Sequence, residues 1–140
     1  MLEQDSVQET PEGYRTLKNA ALAEQHLGPF YYKKTEDSLL LGFHAGEHHG
    51  NTIGTVHGGV LLFFADYAVI MIAMKGQKES CATISCNCDF ISGAKRGDWI
   101  EAEGTITRRT GSLVFVTGRI FTGEKTLLTF QSVVKRIHVK

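Results

Sequence analysis

The chain has 140 residues and balances 15 lysines and arginines against 15 aspartates and glutamates, so its formal net charge is zero. This length fits one domain, and the balanced charge argues against a nucleic-acid or membrane-surface partner. The N-terminus has no basic, apolar leader, and the three cysteines lack a zinc-site spacing, so we expect a cytoplasmic protein with free thiols.

The N-terminal region divides into a polar arm and a short predicted helix. Residues 1–12 are polar, and we expect them to form a loose arm. From Tyr14 to about His26, leucine and alanine recur at helical spacing and predict a helix, which a Gly-Pro pair then stops. We expect this helix to cover an end of the sheet or the mouth of the active site.

Two short strands and a polar loop come next. Phe30–Lys34 and Ser38–His44 are predicted to form a hairpin. The loop at 45–52 carries the adjacent His48 and His49. Two neighbouring histidines without a third ligand at a recognisable spacing are typical of solvated side chains, so we expect no metal site.

The segment Gly54–Met74 is the most informative in the chain. Its run from Val60 onward is apolar except for Asp66, which predicts one long helix that is apolar on every face and enclosed by the rest of the protein. It is too short for a membrane span. A carboxylate held away from water is costly unless something compensates it. Asp66 is therefore predicted to have a chemical role; the alternative is that it caps a backbone group.

Two glycines at the start of this helix predict a site for a polarised carbonyl. The first helical turn leaves N–H groups without partners, and Gly58 and Gly59 have no side chains to shield them. Eight residues separate Gly58 from Asp66, or about 12 Å along a helix, too far for one helix to place both at one carbonyl. Two antiparallel copies can do so, and we predict a homodimer with two shared sites.

Four longer strands are predicted after the helix. They are Cys81–Ile91, Trp99–Arg109, Leu113–Phe121 and Thr126–Val139. Strict alternation in the first strand places Thr83 and Asp89 on one face, opposite Cys86 and Cys88. A hairpin, a long helix and four antiparallel strands predict an α+β domain in which a sheet wraps one helix.

The pattern Asn-x-x-Gly-x-x-His-Gly-Gly at 51–59, with an acid seven residues later at Asp66, resembles the signature of the hotdog-fold acyl-CoA thioesterases. The likeness is closest to the PaaI-like branch, which includes enzymes of the thioesterase superfamily member 2 type. It continues from Asn87 to Asp98 and covers roughly residues 36–138. It implies a single hotdog domain over 1–140 that hydrolyses an aryl- or medium- to long-chain acyl-CoA to the free acid and coenzyme A, without a cofactor.

The resemblance and the pattern together assign the chemistry to Asp66 and Gly58. Asp66 is the predicted general base or nucleophile toward the thioester, since apolar surroundings favour base strength near neutral pH. Gly58 is the predicted oxyanion donor, with Gly59 beside it as a second candidate in contact with substrate. Whether Asp66 activates water or attacks the carbonyl itself stays open.

Three further polar residues match family positions. Asn51 is expected to hold the attacking water or the carboxylate, unless it only satisfies its own turn. His57 is expected at the helix N-terminus as a neutral group that shapes the site, unless it only caps the helix. Thr83 is expected beside the catalytic acid, unless it is an ordinary strand threonine.

The substrate contacts are less defined. Phe63 and Tyr67 are candidate residues for the acyl pocket, although simple core packing explains them equally well. Candidates for the coenzyme A phosphates, which surface solvation also explains, are Lys95, Arg96, Arg108, Arg109 and Arg119.

Other functions are compatible with the same fold. A hydratase or dehydratase of this fold pairs a carboxylate with a histidine on or beside the helix. Here no histidine lies four residues after Asp66, and the histidine beside the helix, His57, precedes it. A non-catalytic acyl-CoA binding or sensing module would dispense with the acid or the glycine donor, and both are present. A carrier-protein thioester is an alternative to coenzyme A. The family also implies that two dimers associate into a tetramer.

Overall fold

The apolar segment predicted as a helix lies against an antiparallel sheet that most of the chain builds. The computed structural model describes residues 10–16, 22–75 and 79–137. The two helices are α1 (Leu22–Leu27) and α2 (Gly58–Met74). The strands are β1 (Arg15–Thr16), β2 (Tyr31–Lys34), β3 (Leu39–His44), β4 (Ser80–Phe90), β5 (Trp99–Arg109), β6 (Leu113–Thr122) and β7 (Lys125–Ile137).

The sheet has seven strands in the order β1-β2-β3-β5-β6-β7-β4, and every neighbouring pair is antiparallel. Helix α2 packs against β3 to β7 on one face of this sheet. The α+β architecture is the predicted hotdog arrangement. Within the described residues β4 pairs with β7 alone, so this 11-residue strand forms one edge of the sheet.

The core forms where α2 meets the sheet. Fully buried aliphatic and aromatic side chains come from both layers, for example Phe64 and Val69 of α2 and Leu128 and Val134 of β7. The helix ends at Lys75, whose φ of 53° is left-handed. There the Arg109 guanidinium donates a hydrogen bond to the Ala73 carbonyl (2.8 Å), and a cation at a helix C-terminus is favourable. No helix in the described part of the chain has the length and apolarity that a membrane crossing requires.

The predicted helix from Tyr14 to His26 is wrong at its start. Arg15–Thr16 is extended and pairs with β2, and α1 covers only 22–27; residues 17–21 and the arm at 1–9 lie outside the described residues. The Tyr14 ring packs edge-on against Trp99 at 5.1 Å between centroids, and its hydroxyl donates to Glu101. These tertiary contacts favour an extended backbone over the helical pattern.

The predicted alternation along β4 is also wrong, because the strand contains a β-bulge. The pairing with β7 shifts register between Thr83 and Ser85. Thr83 therefore faces α2, as do Cys86 and Cys88, while Asp89 faces the opposite side of the sheet. A bulge inserts one residue and moves the following side chains to the other face.

The histidine pair on the 45–52 loop does not behave as two solvated side chains. His48 is exposed, but His49 is 1% exposed. The Gly46 N–H donates to Nδ1 of His49 (2.8 Å), and Nε2 lies 2.6 Å from the Leu27 carbonyl oxygen, so Nε2 carries the donating proton. His49 thus fastens the loop before α2 to the end of α1.

Candidate active site

Asp66 and Thr83 meet between the middle of α2 and strand β4. The Thr83 hydroxyl donates a hydrogen bond to Oδ1 of Asp66 at 2.6 Å. The β4 bulge makes this contact possible, because without it Thr83 would share the outward face of Asp89. The bond engages one carboxylate oxygen, and the other oxygen accepts no hydrogen bond from the residues that the structure describes.

Asp66 is exposed in the single chain, which corrects the expectation of a carboxylate enclosed on all sides. Gly59, Leu62 and Asp66 recur at helical spacing and form an exposed stripe along α2; Leu62 is 41% exposed. The remaining faces of the helix are buried or half-buried. An apolar helix with one uncovered stripe is typical of an element that completes its packing against a second molecule.

The N-terminus of α2 presents one free backbone donor. His57 is the N-cap, as predicted, and its Nδ1 accepts the Gly59 N–H at 2.8 Å. The Val60 N–H bonds to the His57 carbonyl. The Gly58 N–H has no acceptor among the described residues. Of the two glycines, Gly58 is therefore the one whose N–H can polarise a ligand oxygen at the helix N-terminus.

The Asn51 side chain is engaged within its own loop. Its Oδ1 accepts from the backbone N–H groups of Ile53 (3.0 Å) and Thr55 (3.1 Å), and its Nδ2 donates to the Thr55 hydroxyl (2.7 Å). These contacts are those of a residue that shapes the loop leading into α2. The role of holding a water molecule stays a prediction.

Phe63 and Tyr67 lie on the side of α2 that packs against Phe30, the residue before β2. Tyr67 is buried, and its ring centroid is 4.9 Å from that of Phe30, with Phe63 at 6.1 Å from the same ring. Burial raises the pKa of Tyr67 well above its usual range, with a smaller contribution from Glu24. Its hydroxyl has no hydrogen-bond partner among the described residues. Both rings take part in the core, and their contact with substrate stays a prediction.

Two thiols lie on the same face of β4 as Thr83, which bonds to Asp66. The Sγ atoms of Cys86 and Cys88 are 3.7 Å apart, and both side chains are half-buried against the core. Burial is the main cause that raises the pKa of Cys86 and that of Cys88, the latter to about 12; the negative charge of Asp66 acts in the same direction on both. These thiols stay protonated at neutral pH.

No set of three or more histidine, cysteine, aspartate or glutamate side chains has the arrangement of a metal site within the described ranges. A groove of about 760 Å³ is lined by residues of β4, β5, β6 and β7. Its lining includes Asp89, Glu103 and Arg119 and contains neither Asp66 nor Gly58. Within this groove Arg119 is paired with Glu103 at 2.7 Å.

Sequence reasoning missed the structural role of His49, the aromatic contact of Tyr14 with Trp99, and the thiol pair. The sequence shows that Cys86 and Cys88 are two residues apart, but the distance between their sulfur atoms depends on the strand geometry. The predicted meeting of Thr83 with Asp66 is present in the structure. Gly58 lies at the N-terminal end of α2, about 12 Å from Asp66 along the helix axis.

The sequence of this chain is similar to those of known proteins. The sequence model of a family described as the thioesterase superfamily matches residues 53–129, a stretch that contains Gly58, Asp66 and Thr83. A Pseudomonas aeruginosa protein named "Putative esterase PA0474" is 28% identical over 118 residues, covering 82% of this chain and 88% of that protein.

Solved structures show the same fold. The PaaI protein from the phenylacetic acid degradation operon of E. coli superposes with a TM-score of 0.75 at 19% identity, covering 84% of this chain and 86% of that chain. A hypothetical thioesterase from Streptococcus pneumoniae, solved with coenzyme A, has a TM-score of 0.71 at 13% identity and covers 79% of this chain and 88% of that chain.

Proposed function

Because the chain belongs to the thioesterase superfamily, we propose that it hydrolyses an acyl-CoA thioester to the free acid and coenzyme A. The observation that supports this most directly is the Asp66 carboxylate, oriented by Thr83 on a helix whose N-terminal Gly58 N–H lacks an acceptor among the described residues. A base and an oxyanion donor are the two groups that acyl transfer to water requires.

The active site is shared between two copies in this proposal. The base and the donor lie about 12 Å apart along α2, so one chain does not bring both to a single carbonyl. Antiparallel α2 helices related by a two-fold axis place Asp66 of one copy opposite Gly58 of the other. The exposed stripe of Gly59, Leu62 and Asp66 supports this arrangement, because a second helix would cover it.

The edge of the sheet supports the same dimer. Strand β4 has a free edge within the described part of the chain, and Ile84 and Phe90 on it are 58% and 56% exposed. The Phe90 ring lies beside Gly58, since a Cβ added there would be 3.3 Å from it. Edge-to-edge pairing would therefore bring apolar side chains and the proposed donor into one interface.

In the proposed reaction, Asp66 accepts a proton from a water molecule while the oxygen of that water molecule attacks the thioester carbonyl carbon. The negative charge that develops on the carbonyl oxygen is stabilised by the N–H of the partner subunit's Gly58. The C–S bond then breaks, the acid forms, and the thiolate of coenzyme A takes up the proton. Thr83 holds the carboxylate in position. A direct attack by Asp66 on the carbonyl uses the same groups.

The coenzyme A part of the proposal is supported by the structural likeness to a protein solved with that molecule. The acyl group is proposed to enter beside Phe63 and Tyr67, whose rings pack against the ring of Phe30. An aromatic lining accommodates an aryl or a medium-chain acyl group.

The test is the hydrolysis of a panel of aryl- and alkanoyl-CoA esters by the wild type and by Asp66→Asn. Loss of a general base is expected to lower kcat by about 10² or more. Asp89→Asn is the matched control: it removes the carboxylate of β4, which faces the opposite side of the sheet from Asp66, and should leave hydrolysis unchanged. Equal activity of Asp66→Asn and wild type would refute the role of Asp66. Tight acyl-CoA binding without cleavage by the wild type would favour a sensing module.

A further inference from the structure

The proposed reaction makes no use of the most distinctive side-chain pair near Asp66. Cys86 and Cys88 are free thiols on the same face of β4, with sulfur atoms 3.7 Å apart. Both are half-buried against the core between β4 and α2. Two sulfur atoms held at one distance by a strand have the geometry of either a disulfide precursor or a chelating pair.

Strand geometry argues against the disulfide. Residues i and i+2 of a strand have Cα atoms about 6.6 Å apart, at the upper limit of about 6.8 Å for a disulfide. Both backbones are also held by pairing with β7, Cys86 opposite Ser132 and Cys88 opposite Phe130. Closing the S–S bond would contract β4 against this pairing.

The same separation suits a bound metal ion without any movement. Sulfur ligands lie about 2.3 Å from a tetrahedral zinc ion, which places two of them about 3.8 Å apart. The observed separation is 3.7 Å. Thiolates are also the protein ligands that soft cations prefer over carboxylates and carbonyl groups.

The surrounding charge favours a cation as well. The carboxylate of Asp66 acts electrostatically on both thiols, and that of Asp89 acts on Cys88. These two negative charges disfavour deprotonation of the thiols, and the positive charge of a bound divalent ion offsets this repulsion. Binding converts two S–H groups into two metal–sulfur bonds and releases two protons for each ion.

We propose that Cys86 and Cys88 chelate one thiophilic divalent cation of the Zn²⁺ and Cd²⁺ class, and that the bound ion inhibits the reaction at Asp66. The two sulfur atoms supply two of the four ligands of a tetrahedral ion. The ion then lies on the α2-facing side of β4, where its positive charge opposes the negative charge of Asp66, which acts electrostatically on both thiols. The inhibition rests on the proposed function, but the binding does not.

Binding is tested by titrating the purified, reduced protein with Cd²⁺ and following the ultraviolet charge-transfer absorption of thiolate–cadmium bonds. One ion per chain and two released protons per ion are expected. Cys86→Ser and Cys88→Ser should each lose the signal, and Cys86→Val serves as a second variant that preserves apolar packing. Cys81→Ser is the matched control, since Cys81 is half-buried on the same strand but outside the pair, and it should titrate like the wild type.

Several results would overturn the inference. These are a wild type that gives no cadmium signal, a signal that Cys81→Ser loses equally, or a protein whose pair is already a disulfide after purification in air. A chain that binds Cd²⁺ but cleaves no CoA ester would leave the metal site standing and reject the proposed function. An enzyme that cleaves CoA esters but binds no Cd²⁺ would reject the metal site and leave the proposed function standing. Activity is followed by chromatography of the acid product, because the ion itself binds the thiol product.

Discussion

The hydroxyl of Thr83 determines how the Asp66 carboxylate is presented. Its hydrogen bond of 2.6 Å engages Oδ1, and a hydrogen bond to a charged group is worth about 1.5–3 kcal/mol. Thr83→Val removes this bond while keeping the shape of the side chain. We expect kcat to fall by roughly tenfold to a hundredfold, with little change in KM if the bond only orients the base.

The control for this prediction is Thr83→Ser, which retains the hydroxyl and should restore most of the activity. Steady-state kinetics on the best CoA ester of the panel provides the measurement. If Thr83→Val and Thr83→Ser are equally active, the hydroxyl does not position the base.

His49 is expected to contribute to stability and to its pH dependence. His49→Ala leaves the Gly46 N–H and the Leu27 carbonyl without their partner and opens a cavity, so we expect a loss of about 2–4 kcal/mol in the free energy of unfolding. His48→Ala, at the exposed neighbouring position, should cost less than about 1 kcal/mol. Denaturant unfolding at neutral pH measures both.

Acid should weaken the wild type more than His49→Ala. Burial lowers the pKa of folded His49, whereas an unfolded histidine has a pKa of about 6.5. Between these two values the unfolded state binds more protons, so stability falls as pH decreases below about 6.5. Burial lowers the pKa of His44 in the same sense, so the comparison of variant with wild type isolates His49. Parallel stability curves would contradict this role.

At the scale of elements, a glycine pair sets how closely β5 and β6 approach each other and α2. Gly104 and Gly118 face each other across the two strands. A Cβ on Gly118 would lie 2.2 Å from the Glu103 carbonyl oxygen and 2.6 Å from the Phe130 ring, and a Cβ on Gly104 would lie 3.1 Å from Ile72 of α2. The missing side chains therefore allow the helix to lie close to the sheet.

Gly118→Ala is expected to lower the free energy of unfolding by about 3 kcal/mol, because overpacking displaces backbone as well as side chains. Gly111→Ala is the control, since a Cβ there meets no atom within 4 Å, and it should change stability by less than about 0.5 kcal/mol. Thermal or denaturant unfolding distinguishes them, and equal stabilities would mean that the sheet adjusts without strain.

The elements that the sequence predicts well are those whose pattern is long. Helix α2 follows from 15 residues that are apolar except for Asp66. Strand β5 follows from alternating apolar and polar residues, and strands β6 and β7 follow from runs rich in Val and Phe. Strand β1 has two residues, and only its pairing with β2 makes it a strand. The β4 bulge leaves no mark in an alternating sequence pattern. The family resemblance therefore places Thr83 beside Asp66, as in the structure, whereas strict alternation places Thr83 on the wrong face of the strand relative to Cys86 and Cys88.

The candidate site divides in a similar way. Asp66, Gly58 and Thr83 carry side-chain or backbone chemistry that a motif can identify. The exposure of Asp66 was not predictable, because an apolar helix looks the same whether its own chain or a second copy covers it. The motif already ranks Gly58 above Gly59, and the His57 ring, which accepts the Gly59 N–H, supports that order.

At the scale of the whole molecule, a shared site predicts that two inactive variants restore each other. Asp66→Asn lacks the base, and Gly58→Val blocks the donor. A dimer that contains one chain of each type retains one intact site, formed by the Asp66 of one chain and the Gly58 of the other. Random mixing in co-expression should therefore recover about one quarter of wild-type activity, since half the dimers carry one good site of two.

A mixture of Asp66→Asn with Thr83→Val is the control for this experiment. Both changes affect the same half of the site, so the mixed dimer contains no intact active site. The activity of the mixture should not exceed the summed activities of the two variants measured separately. Size-exclusion chromatography with light scattering establishes the assembly of each mixture. If Asp66→Asn with Gly58→Val also shows no recovery while mixed dimers form, each site is built within one chain.

The exposed edge of β4 has a consequence for any attempt to isolate the single chain. Strand β4 has 11 residues and an edge that no other described strand covers, with the apolar Ile84 and Phe90 at its surface. Such an edge is a template on which further strands can add. Changes that separate the copies should therefore yield precipitate instead of soluble monomer. A lysine at Ile84 would act as a gatekeeper, because burying its charge between two added strands is unfavourable.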